Sequence, residues 1–107
     1  MRVAALVIDL MVFSRIESAA AVSGASLVRV DSPAGVPPDV DLVLVDWSAR
    51  EPGWTDALRA MSARIILFGP HTDLEAHAAA HNAGLGPMRA RSNLISSLAD
   101  LLGSNHP

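Results

Sequence analysis

Two short apolar runs, each closed by an aspartate, constrain this chain more than any other feature of its sequence. Val3 to Ile8 runs without a polar residue into Asp9, and Leu42 to Val45 runs into Asp46. A strand that is apolar at every position must be covered on both faces, which is the situation inside a parallel sheet. Leu27 to Val30, Ile65 to Phe68 and a shorter piece from Met88 to Ala90 supply three further strands. Helical stretches alternate with them. Val12, Ile16, Ala19 and Ala20 recur at helical spacing until Gly24 stops the segment, and Ser14 with Glu17 has the spacing of a capping box at its start. Pro52 suits the first turn of the next helix, whose buried stripe is Trp54, Leu58 and Met61. Thr72 and Glu75 form a second candidate capping box, opening a helix that runs to Asn82 and ends at Gly84. Ser92 or Asn93 caps the last helix, which turns Leu94, Leu98, Leu101 and Leu102 to one face.

The segment from Asp31 to Val40 departs from this alternation. Prolines at 33, 37 and 38 rule out a helix of normal length there. It reads as a tight connection, or as a gap that leaves an apolar groove on one face of the sheet. Five strands alternating with helices imply a parallel, doubly wound sheet, because parallel neighbours need crossover connections. Right-handed crossovers put helices on both faces. Asp9 and Asp46 then meet at the carboxyl edge, where such sheets place their sites.

Composition narrows the function. The chain has 107 residues, 50% of them hydrophobic, which suits one domain over residues 1–107. A net charge of −3 without clustered basic residues argues against nucleic acid. There is no Cys, hence no disulfide and no thiol chemistry, and all eight basic residues are Arg. No apolar run approaches the ~20 residues that span a bilayer. The apolar stretch that ends at Asp9 is too short for a signal peptide. A cytoplasmic protein without membrane contact is expected, with Gly103 to Pro107 as a frayed tail.

The segment Asp41-Leu-Val-Leu-Val-Asp46-Trp47, Asp9 at the end of the first strand and Ala83-Gly84 ahead of the fifth are similar to the receiver domain of two-component signalling. The resemblance extends over nearly the whole chain. It implies a flavodoxin-like, five-stranded sheet in the order 2-1-3-4-5, here with helix two missing or truncated. It also implies that Asp46 holds the phosphoacceptor position and that Asp9 is the first of two acidic residues helping to hold Mg²⁺. Against that pattern, the second acidic position is Leu10, the hydroxyl position is Gly69, the aromatic switch is Met88, and the Lys-Pro pair is Arg91-Ser92.

Phosphoryl transfer to a carboxylate needs hard oxygen ligands converging on Mg²⁺. Leu10 removes one of them, and Met11, Val12 and Phe13 make the rim apolar. The planar fork of Arg91 does not replace a compact ammonium. With no Gly-rich loop after strand one, flavin or dinucleotide binding is unsupported. The expectation is a stand-alone pseudo-receiver that is not an enzyme, has no catalytic residue, holds no metal or cofactor, and acts by contact with a signalling protein or a second copy. Asp46 would then pair with Arg91 or accept backbone N–H groups. The alternative is a phosphorylatable single-domain response regulator with Asp46 as acceptor and Mg²⁺ at Asp9 and Asp46. A third reading is a small-molecule binder with an apolar pocket around Leu10, Phe13 and Trp47. The family docks partners on helix four, strand five and helix five, which implies a surface of His77, His81, Arg89 and Ile95. Trp47 is a further expected surface contact, whereas Trp54 is expected in the core. His77 and His81, spaced i, i+4 with Asp73 one turn earlier, lack a third strong ligand for a transition metal.

Overall fold

The apolar runs become the strands. The computed structural model describes residues 1–103. Its elements are β1 (Arg2–Leu6), α1 (Leu10–Ser23), β2 (Ser26–Val30), β3 (Leu42–Asp46), α2 (Trp54–Arg59), β4 (Arg64–Gly69), α3 (Leu74–Ala83), β5 (Arg89–Ala90) and α4 (Arg91–Leu102). The five strands form one sheet in the order β2-β1-β3-β4-β5, parallel at every pairing. The family's helices four and five correspond to α3 and α4. Among the described residues no helix is long and apolar enough to cross a membrane.

Side chains alternate across a strand, and that alternation splits the interior into two layers. Val3, Ala5, Leu42, Leu44, Ile66 and Phe68 pack against Val12 and Ile16 of α1 and the leucines of α4. Ala4, Leu6, Val43, Val45 and Leu67 pack against Trp54 and Leu58 of α2 and the alanines of α3.

Helix two is absent. A single 3-10 turn, Pro33–Gly35, stands between β2 and β3. Pro33 and Val40 are buried, and Val36 packs on the layer that contains α2. The proline-rich connection thus covers part of the sheet face that a helix would otherwise cover. What remains is a cleft of about 260 Å³ between residues 36–40 and 60–63.

All four helix starts differ from the sequence reading. α2 begins at Trp54 with Gly53 in the cap position, so Pro52 precedes it and Met61, only half-buried, lies past its end. α1 and α3 share one reason. α1 begins at Leu10 because the Asp9 carboxylate accepts hydrogen bonds from the N–H groups of Met11, at 2.9 Å, and Val12, at 3.3 Å. Ser14 and Glu17 therefore lie inside the helix and exposed, not at its cap. At α3 the cap is Asp73, which accepts from the Ala76 N–H at 3.0 Å, rather than Thr72. A carboxylate placed at the strand-to-helix turn is a strong acceptor for the otherwise unpaired first N–H groups. α4 starts at Arg91 with Ala90 in the cap position and no side-chain cap, so neither Ser92 nor Asn93 serves. At the far ends, Gly24 and Gly84 close α1 and α3 with φ of 76° and 70°, a conformation that glycine adopts without strain. Gly103 closes α4 through an N–H bond to Ala99 at 2.9 Å and so belongs to the fold. The rest of the expected tail, 104–107, lies outside the described residues.

β3 is buried at all five positions. Leu44→Ala in this strand should cost about 2–5 kcal/mol, because it leaves a cavity that neighbours on both sides cannot fill. Urea denaturation of the two chains reads this directly.

Candidate functional site

The carboxyl edge of the sheet brings together the ends of β1, β3 and β4 and the start of α4. Asp46 ends β3 directly opposite Phe68 of β4 in the ladder. Among the described residues it is the buried charged one, at 7% exposure, and its Oδ1 has no hydrogen-bond partner there. Burial pushes the Asp46 carboxyl above the ordinary carboxylate range, and the charge of Asp9 pushes it the same way. The Arg91 guanidinium and the Ser48 backbone N–H pull it down without overcoming burial. Among the described residues no ion pair joins Asp46 to Arg91, so the expected pairing is a through-space attraction only. Arg91 Nε is itself buried without an acceptor.

The remaining expected positions are placed as follows. Asp9 is exposed, with Oδ1 engaged at the start of α1. Leu10 beside it is 66% exposed. These residues do not suit Mg²⁺: Asp9 shares one oxygen with its own helix, Asp46 is buried with its pKa raised, and Leu10 offers no oxygen. Among the described residues no cluster of three His, Cys, Asp or Glu side chains could hold a metal.

Gly69 is not an empty hydroxyl position. A Cβ there would lie 2.8 Å from Ser48 Oγ and 3.0 Å from Met88 Sδ, closer than side chains pack. Met88 is buried just ahead of β5 rather than in it. Ser48 Oγ is held in place by donating to Asp73 Oδ2 at 3.0 Å. That bond and the Ala76 N–H hold the Asp73 carboxyl below its ordinary range. Ser48 and Asp73 were missed as structural partners in the sequence, although an aspartate three residues before Ala76 is a cap signal in its own right.

Trp47 is a correction. At 1% exposure it lies in the α2 layer, and it cannot be a surface contact. Arg50 stacks over its ring, 5.5 Å from the centroid. Trp54 is in the same core layer. Phe13 packs on the opposite face of the sheet, so Leu10, Phe13 and Trp47 do not form one pocket. The residues of the expected docking surface also separate. His77 and His81 border a depression with Gly84, Gly86 and Met88. Ile95 instead is half-buried against the α1 layer, beside Met11 and Arg15. The Nε2 of His77 lies 3.2 Å from the carbonyl oxygen of His71, and Arg89 is half-buried in β5.

A parallel sheet ordered 2-1-3-4-5, with Asp46 ending β3 and Asp9 in the β1–α1 turn three residues past the end of β1, is the receiver-type α/β architecture. Two solved structures have this architecture. A response regulator receiver domain protein from Clostridium thermocellum superposes with a TM-score of 0.62 at 14% identity, over 97% of this chain and 95% of its own. A response regulator protein from Burkholderia multivorans, solved in solution, gives a TM-score of 0.67 at 22% identity, over 99% and 95%. No protein-family model matches the chain, and no curated protein does. The receiver fold is therefore established by structure.

Two measurements check the site. Gly69→Ala should destabilise the chain by about 1–3 kcal/mol through overpacking. In a Ser48→Gly background the same change should cost less, a coupling that a double-mutant cycle in urea exposes. The second concerns Asp46. A carboxyl whose folded pKa is raised binds its proton more tightly in the folded than in the unfolded chain. Stability from this group therefore falls as pH rises from the ordinary carboxylate range through the folded pKa. Asp73, with a lowered folded pKa, acts in the opposite sense and is common to both chains compared. Asp46→Asn should thus be more stable than the parent at neutral pH, and the difference should shrink towards about pH 3.

Proposed function

We propose that the chain is a receiver-like signalling module that works by protein–protein contact without phosphotransfer. The observation that carries this reading is the state of Asp46: buried, short of hydrogen-bond partners and shifted towards its protonated form. A phosphoacceptor must present an ionised oxygen to a phosphoryl donor and share a metal with its neighbours. The close packing at Gly69 supports the reading, because a hydroxyl-bearing side chain there would have to displace Ser48 or Met88. A cytoplasmic location and a protein partner, or a second copy of the chain, go with it. The outer side of α3 offers a contact surface with an apolar centre, Leu74, exposed at 76%, and His77 and His81 one and two turns further on.

A second reading keeps one supporting observation. Asp9 and Asp46 are close enough for the charge of one to raise the pKa of the other. On this reading the two carboxylates together would hold Mg²⁺, with Asp46 as the phosphoacceptor.

Incubation with acetyl phosphate and Mg²⁺ separates the two. The intact mass should stay unchanged. An adduct of one phosphoryl group that disappears in Asp46→Asn would overturn the proposal and establish the second reading.

A further inference from the structure

Next to the Asp9–Asp46 corner, the first turns of α1 and α4 and the loop after β4 enclose an open groove of about 640 Å³. Binding sites for small molecules commonly occupy roughly 300–1,000 Å³ and are mostly apolar with a few well-placed polar groups. The apolar wall here is Met11, Val12, Pro70 and Ile95, and Met11 is 78% exposed, an unusual amount of water contact for such a side chain. The polar groups include Arg15 and Arg91, and no lining residue is acidic.

Both arginines are unengaged. Among the described residues neither side chain makes a hydrogen bond or an ion pair, and Arg91 Nε is buried with no acceptor. A buried N–H without an acceptor is unfavourable and calls for a partner. Asp46, the carboxylate that feels Arg91, is buried and lies outside the lining. Asp9 is turned to the N–H groups of Met11 and Val12. Arg91 and Ser92 also stand at the N-terminus of α4, which no side chain caps, where backbone donors add to the same positive field. Guanidinium groups select carboxylates by their matched geometry, and the apolar wall selects what the carboxylate is attached to.

We propose that this groove binds a small organic carboxylate with an apolar body, its charged end between Arg91 and Arg15 and its body along Met11, Val12 and Ile95. The site is independent of the phosphotransfer question, since neither Asp46 nor a metal takes part. Its fate is therefore separate from that of the acetyl phosphate experiment.

The test is a titration of octanoate into the ¹⁵N-labelled full chain, followed by amide shifts. Saturable shifts are expected at Met11, Val12, Arg91, Ser92 and Ile95. Inorganic sulfate, which lacks the apolar body, and 1-octanol, which lacks the charge, should each bind about tenfold more weakly. Arg15→Gln and Arg91→Gln should each weaken octanoate by a similar factor with the melting temperature held, and Arg91→Lys should restore part of the loss. If Arg91→Gln does not fold, the exposed Arg15→Gln decides the matter. Shifts that do not saturate, that map elsewhere, or that survive both arginine substitutions would overturn the proposal. Octanol binding as tightly as octanoate would also overturn it, showing an apolar surface without a carboxylate site.

Discussion

β3 is covered on both faces along its whole length, and the rest of the molecule is arranged around that condition. Burying both faces of a strand needs a layer of helices on each side, which in turn needs crossover connections and parallel neighbours. β1 and β4 flank it, so Asp9 and Asp46 are carried to the same edge. The burial that stabilises the sheet also reaches its last residue. Asp46 ends the strand inside the shielded region, and a carboxylate removed from water without full hydrogen bonding is penalised. The fold itself therefore raises the pKa of this group.

The neighbours of Asp46 relieve that state only in part. Arg91 attracts the carboxylate but makes no contact with it, and Asp9 repels it. Ser48, which donates to Asp73, fills the space beside Gly69 and ties the β3–α2 turn to the start of α3. Met88 closes the other side of that space. A side chain at position 69 would have to displace Ser48 or Met88.

The connection between β2 and β3 follows the same logic of coverage. Three prolines prevent a helix, yet the sheet face still requires apolar neighbours, and Pro33, Val36 and Val40 supply them. A loop can stand in for a helix when a few of its side chains reach the core.

Much of this was readable from the sequence, and the division has a physical reason. Periodicity reports which positions are apolar, so Val3–Val7 and Leu42–Val45 identify their strands, the alternation with helices gives the parallel sheet, and the prolines remove helix two. Aspartates closing two such strands place the candidate edge. Periodicity does not report what an apolar or polar side chain touches. Trp47 looks like a surface residue beside Asp46, yet in the 3-10 turn that follows β3 it is buried in the α2 layer, away from Phe13. Asp9 looks like a metal ligand and instead caps α1, because the turn from β1 brings its carboxylate to Met11 and Val12. Ile95 looks like a neighbour of His77 and His81, but α4 packs on the α1 side of the sheet and α3 on the other. The unengaged arginines and the groove between α1 and α4 depend on residues about 80 positions apart in the chain, and only the folded arrangement brings them together.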